Sequence, residues 1–243
     1  MKKNLLLSAF LLLPFLTVWT QSNRTNTIPL IGVEAPSFTA ESTNGRINFP
    51  GDFNSSWKIL FAHPKNFTPV CSSELLELAL NQDNFKSLDA KIVVISTDNM
   101  SQHNSWKAAL EEISYKGNGP VKIDFPLIDD NNFRVSNLYG MIHSAASIGQ
   151  NIRGVFIIDP ENKVRSIHYY PNEVGRNIDE LLRTLAALQA TDKDKNVVTP
   201  ANWEPGNDFM VPVISAEERE SIGVTDSPFY QKSWFMTYKK NNQ

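Results

Sequence analysis

A short apolar run from Trp57 to His63 gives way, across a few polar residues, to Thr68-Pro69 and then to helical spacing through Leu75, Leu76, Leu78, Ala79 and Leu80. A strand feeding directly into such a helix points to an α/β arrangement, because a largely apolar strand is covered on both faces. The helix start is marked twice. Thr68 is a residue type that can cap it, and Pro69 fits its first turn, where a missing N–H costs nothing. Cys71, the one cysteine among 243 residues, then falls among the unpaired N–H groups of that turn. The positive end of the helix dipole favours thiolate over thiol, and the thiolate is the nucleophile. A free cysteine often only fills space, but a space filler has no need of Thr-Pro-x-Cys at a helix entrance.

The rest of the chain extends the same alternation. Gln21 to Ile28 reads as a polar lead-in, and Ile31 to Phe38 with Arg46 to Phe49 as an opening hairpin about Thr43-Asn44-Gly45. Lys91 to Ser96 is β-branched and reads as a central strand, followed by a helix from Ser101 to Ser114. Phe125 to Ile128 is a further short strand, with a helix over Asn132 to Tyr139. Gly154 to Ile158 and Val164 to Tyr169 pair about a turn at Asp159-Pro160-Glu161-Asn162, and Asn177 to Ala190 is an amphipathic helix. The expected fold is a thioredoxin-like domain over residues 29–190, a central mixed sheet with helices on both faces.

After Thr191 the texture changes, with Pro200, Pro205, Pro212 and Pro228 among scattered Trp203, Phe209, Trp234, Phe235 and Tyr238. Residues 191–243 therefore read as a small C-terminal appendage. Its aromatics need a surface to bury against, and either the parent domain or a second subunit would serve.

Lys2 and Lys3 precede an apolar stretch of about 15 residues, Leu5 to Trp19, which is the pattern of a secretory signal. It is short for a spanning helix, although tethering by an uncleaved segment stays open. Cleavage after Thr20 would define a signal peptide over residues 1–20 and a periplasmic or extracellular protein. Loss of Lys2 and Lys3 leaves 21 basic residues of 23 against 26 acidic ones, a net charge of about −5. That balance speaks against nucleic acid as a partner. In an oxidising compartment an unpaired thiol is a liability unless it is used, which again singles out Cys71.

The run Pro64-x-x-x-Thr68-x-x-Cys71, extended as Phe67-Thr68-Pro69-Val70-Cys71-Ser72-Ser73-Glu74, resembles the active-site signature of peroxiredoxins. The resemblance continues through Arg153-Gly154-Val155-Phe156-Ile157-Ile158-Asp159-Pro160, Tyr169-Tyr170-Pro171, Gly175-Arg176-Asn177-Ile178-Asp179-Glu180 and Thr199-Pro200-Ala201-Asn202-Trp203. With His63 before Pro64 and the long tail, it is most similar to the one-cysteine, Prx6-type subgroup of the AhpC/TSA family. The resemblance implies a thiol peroxidase on a thioredoxin-like fold with a C-terminal peroxiredoxin domain, dimeric or built of dimers. It also implies roles: Cys71 as the peroxidatic cysteine, Thr68 as the hydroxyl at the peroxide, Pro64 as the shield of the thiolate and Arg153 as the guanidinium beside the sulfur.

Elementary chemistry accounts for those residue types. Attack on a peroxide builds negative charge on the departing oxygen, so cationic and N–H donors must face it. Arg153 stays charged throughout the working pH range, the hydroxyl of Thr68 can accept and donate at once, and Pro64 brings no N–H. The resemblance makes Glu74 the carboxylate that orients arginine and Arg176 the second arginine. A plain first-turn carboxylate and a surface ion pair are their alternatives. His63 could tune the thiolate or serve as a structural histidine bonded to backbone. His103, His143 and His168 lack short metal-ligand spacing, so no metal and no cofactor is expected.

With a single cysteine no intramolecular disulfide can form, so a peroxide substrate implies an external thiol reductant, either a small thiol or a thiol protein. A disulfide oxidoreductase would need a second cysteine where Glu74 stands. A redox sensor or holdase-like binder using the same cysteine is the non-enzymatic alternative. Some mammalian members of the subgroup add a phospholipase activity carried by Ser, His and Asp. Here Ser56 aligns with the serine, but Pro50 and Glu161 stand at the other two positions, which leaves no general base.

Overall fold

In the computed structural model, residues 28–147 and 149–241 are described. The export signal expected over residues 1–20, and its cleavage after Thr20, lie outside them. The central sheet has five strands in the order β5-β4-β3-β6-β7. These are β3 (Trp57–Ala62), β4 (Ala90–Ser96), β5 (Leu127–Asp129), β6 (Arg153–Ile158) and β7 (Val164–Tyr170). β3 runs parallel to β4 and β4 to β5, while β6 is antiparallel to both β3 and β7, so the sheet is mixed. This is the thioredoxin-like arrangement expected.

Alternation along each strand divides the core in two. Ile59, Phe61, Ile92, Val94, Val155 and Ile157 face one layer, which contains α1 (Pro69–Ser87), α2 (Met100–Leu110) and α4 (Ile178–Lys193). Leu60, Ala62, Val93, Ile95, Phe156 and Ile158 face the other, where α3 (Arg134–Leu138) packs with a hairpin of β1 (Phe38–Ala40) and β2 (Ile47–Phe49). Burial on both faces explains why these strands read as continuous apolar runs. Each such side chain contributes about 1.5–3 kcal/mol. One polar residue interrupts β3: fully buried Lys58 carries its ammonium to Asn162 Oδ1 at 2.7 Å and Asp159 O at 3.2 Å, tying the β6–β7 turn to the sheet.

Two expectations are corrected. The segment from Ile31 does not enter the opening hairpin. Instead Gly32 N–H donates to Val164 O and Ala35 N–H to Asn162 O, so the chain docks along the start of β7 before β1 begins at Phe38. The helix expected to Ser114 ends at Leu110, where the Ile113 N–H turns back onto Leu110 O.

Beyond α4 the proline-rich stretch is not only loop. β8 (Phe209–Met210), β9 (Phe229–Ser233) and β10 (Met236–Lys239) form an antiparallel sheet in the order β8-β10-β9, with α5 (Ala216–Ser221) between β8 and β9. Tyr230 and Tyr238 stack across it at 5.0 Å. Trp203 is buried against Phe209, whereas Trp234 and Phe235, at the β9–β10 turn, are 84% and 66% exposed. No described helix is long and apolar enough to cross a membrane.

Candidate active site

The loop from β3 to α1 brings Cys71 to the third position of a 19-residue helix, with Pro69 at the first. The sulfur-bearing residue is fully buried. Thr68 occupies the N-cap position but does not cap with its side chain, contrary to expectation. Its Oγ1 donates to Lys65 O at 2.9 Å, because the turn through Phe67 points the hydroxyl back along the loop. The first helical bond is Ser72 N–H to Thr68 O, so among the described residues the Val70 and Cys71 N–H groups have no protein acceptor.

From the start of β6, Arg153 extends Nη1 to 3.3 Å from Cys71 Sγ. The same nitrogen donates to Glu74 Oε2 at 2.8 Å, and Nε and Nη2 both donate to Asn172 O. Arg176, at the entrance to α4, closes on Glu74 from the other side. Its backbone N–H and Nε reach Oε1 at 2.8 and 2.9 Å, and Nη2 reaches Oε2 at 2.7 Å. Its Nη1 donates to Ala62 O and Gly154 O, and the guanidinium lies 3.3 Å from the centroid of the Phe61 ring.

Burial pushes the Arg176 guanidinium below its ordinary value, while Glu74 opposes that shift; an arginine stays charged in spite of it. Glu74, Arg153 and Arg176 are all buried. Two guanidiniums and one carboxylate leave one positive charge, and Arg153 aims it at the sulfur. Such an arrangement stabilises negative charge on the sulfur and on any oxygen beside it. The two alternatives considered, a plain first-turn carboxylate for Glu74 and a surface ion pair for Arg176, do not fit these positions, since Glu74 lies beyond the first turn and both side chains are buried.

His63 is wholly buried at the end of β3, its ring 5.0 Å from that of Trp106. Burial holds it well below the ordinary imidazole range, with His103, Arg176 and Arg153 acting in the same direction, so it is neutral at pH 7. The Lys65 backbone acts against that shift, but among the described residues neither ring nitrogen makes a hydrogen bond of full geometry, and none joins His63 to Cys71. Pro64 is buried in the same loop. His103 contacts Asn66, His143 Nε2 meets Gly140 O, and His168 Nε2 meets Ser166 Oγ. No group of three metal-ligating side chains occurs among the described residues. Ser56 donates to Asp89 Oδ1 at 2.8 Å.

Two contributors escaped the sequence reading. Asn172 acts through a backbone carbonyl, which carries no residue-type signal. Trp106, whose Nε1 donates to Ser72 Oγ at 3.3 Å, comes from α2, remote in sequence from the motif.

Comparison with known proteins adds an independent line. A profile described as the AhpC/TSA family matches residues 31–167, and one described as the C-terminal domain of 1-Cys peroxiredoxin matches residues 187–221. A peroxiredoxin of Methanosarcina mazei is 44% identical over 219 residues, spanning 89% of this chain and all of its own. Among solved structures, yeast mitochondrial 1-Cys peroxiredoxin superposes with a TM-score of 0.75 at 36% identity, covering 87% of this chain and 99% of the other. The peroxiredoxin 6 of Arenicola marina gives 0.74 at 30% identity, covering 88% and 99%.

Proposed function

The chain belongs to the AhpC/TSA family of peroxiredoxins, in its 1-Cys branch, and is a thiol-dependent peroxidase; from that premise we propose that Cys71 is the peroxidatic residue. The observation that carries this reading is the buried contact of 3.3 Å between Arg153 Nη1 and Cys71 Sγ at the mouth of α1.

The Cys71 thiolate attacks one oxygen of hydrogen peroxide or a small organic hydroperoxide. An S–O bond forms as the O–O bond breaks, and the departing oxygen leaves as water or an alcohol after taking up a proton. Cys71 becomes a sulfenic acid. Arg153 and the free N–H groups of Val70 and Cys71 stabilise the charge that builds on that oxygen. Thr68, whose hydroxyl proton goes to Lys65 O, orients the peroxide as an acceptor, Pro64 excludes water, and Glu74 holds Arg153 with Arg176 as its counter-anchor. His63, neutral, supports the loop from behind.

An external thiol then attacks the sulfenic sulfur and releases water. The resulting mixed disulfide is reduced by a second thiol. The yeast mitochondrial relative resolves through glutathione and thioredoxin systems, which supports a small thiol or a thiol protein in this role. Excess peroxide carries Cys71 on to sulfinic acid. The protein works as a homodimer or an assembly of dimers, a reading supported by the place of β7 at the edge of the sheet, where the Gly32–Ala35 segment covers only its start, and by the exposed Trp234 and Phe235. The basic-then-apolar N-terminus supports export to the periplasm or the cell exterior, either released by cleavage or tethered by the uncleaved segment.

The test is peroxide consumption with dithiothreitol as reductant. Wild type should turn over many equivalents and Cys71→Ser none. Equal consumption by the two would sink the assignment, and a single stoichiometric oxidation would indicate a sensor.

A further inference from the structure

The loop that delivers Cys71 contains a costly conformation. Phe67 has φ +56°, in the left-handed region that a bulky side chain rarely adopts. Phe67 is 59% exposed, with its ring 6.4 Å from that of Trp106, so burial of its own does not hold it there. A conformation of this kind persists where the surroundings over-determine it.

The restraint lies one residue earlier. Buried Asn66 donates its backbone N–H to Asp98 Oδ2 at 2.8 Å. Its side-chain amide is satisfied with the nitrogen 3.2 Å from the same carboxylate oxygen and the oxygen 3.2 Å from His103 Nδ1 and 3.3 Å from His103 N. Asp98, also buried, accepts from Ser96 Oγ at 2.9 Å. His103 is fully buried on α2, whose first turn is closed by reciprocal bonds between Asn99 and Gln102. The loop is therefore pinned to the end of β4 and to α2, two elements outside the active-site motif. Among the described residues, neither Asp98 nor His103 has a hydrogen bond to Cys71.

Resting on the reading of Cys71 as the peroxidatic residue, we propose that Asp98 and His103 are positioning residues that lock the β3–α1 loop through Asn66. The lock keeps Phe67 in its turn and so fixes the direction in which Thr68 and the Val70 and Cys71 N–H groups face. Freeing Asn66 lets Phe67 relax, which misplaces those donors and uncovers the sulfur. Reaction with peroxide should therefore slow, while reaction with a bulky thiol reagent should quicken.

Two substitutions at one position separate this from a loss of packing. His103→Leu removes the Nδ1–H donor, whereas His103→Asn puts an amide N–H near the same place. His103→Leu is expected to slow peroxide reduction about 10- to 100-fold and to speed Cys71 labelling by a bulky maleimide. His103→Asn should recover most of both effects, with both variants assayed well below their melting temperatures. A peroxide rate in His103→Leu close to wild type, or no difference between the two variants, overturns the proposal. Should His103→Leu fail to fold, Asn66→Ala is read by the same pair of rates. A wild-type protein inert to peroxide would instead refute the peroxidatic reading, and the maleimide rates would still decide whether the lock exists.

Discussion

Glu74 receives three hydrogen bonds from Arg176 and one from Arg153, so a single carboxylate organises the charged half of the site. Replacing it by Gln leaves two guanidiniums buried without their counter-charge. We expect Glu74→Gln to cost about 3–5 kcal/mol, read from the denaturant midpoint, along with peroxidase activity. Arg153→Ala removes the donor at the sulfur and should lower the second-order rate with peroxide about 10²- to 10³-fold. The comparison that checks this is the rate at saturating reductant beside the Cys71 thiol titre, which should not change. At this scale the residues taken alone gave type rather than partner, and the pairings of Arg153 with the sulfur and of Glu74 with arginine came only through the family resemblance. The Cys71 motif was legible in one contiguous stretch, whereas the pairing of Glu74 with Arg176 spans 102 residues of chain. Thr68 shows the limit within the motif itself: its identity suits a cap, yet the turn at Phe67 sends its hydroxyl to Lys65.

Helix α1 owes its position less to its first turn than to the side chains that follow. Leu75, Leu78, Ala79 and Phe85 are buried in the layer shared with α2 and α4, while Cys71 sits at the end of that stripe. Truncating the fully buried Leu78 to Ala should destabilise the fold by about 2–5 kcal/mol. A midpoint in urea unchanged from wild type would contradict the packing described. β3, β4 and β6 were readable because burial on both faces makes them largely apolar runs, β7 because apolar and polar residues alternate past the turn that joins it to β6, and α1 and α4 because their apolar residues recur at helical spacing. The strands β8, β9 and β10 were not, since β8 has only 2 residues and the mostly half-buried, mixed polar and apolar residues of β9 and β10 show neither an apolar run nor a sustained alternation. Likewise, nothing local told Ile31 that the start of β7 would take up the backbone bonds expected of a hairpin.

For the molecule as a whole, the buried imidazoles of His63 and His103 and the half-buried one of His168 make stability vary with pH. Burial lowers His63, His103 and His168, so in the folded state each resists a proton that it binds in the unfolded chain near pH 6.5. The unfolded state then holds more protons, and stability must rise with pH across that window and fall as the medium is acidified below it. Urea midpoints should drop between about pH 7.5 and about pH 5.5, and His63→Phe should flatten the slope. A midpoint that rises on acidification would contradict the burial of these rings as neutral groups. The amino-acid sequence by itself determined the α/β layering, the helix entrance at Cys71 and the absence of a second cysteine to resolve it, because periodicity, capping residues and composition are local or countable. Only the tertiary structure decided that Arg153 meets the sulfur, that Glu74 binds both arginines, and that Asp98 and His103 hold the loop through Asn66. Those contacts depend on which strands become neighbours and in what register, and that is chosen by burial summed over the whole chain rather than by any segment of it.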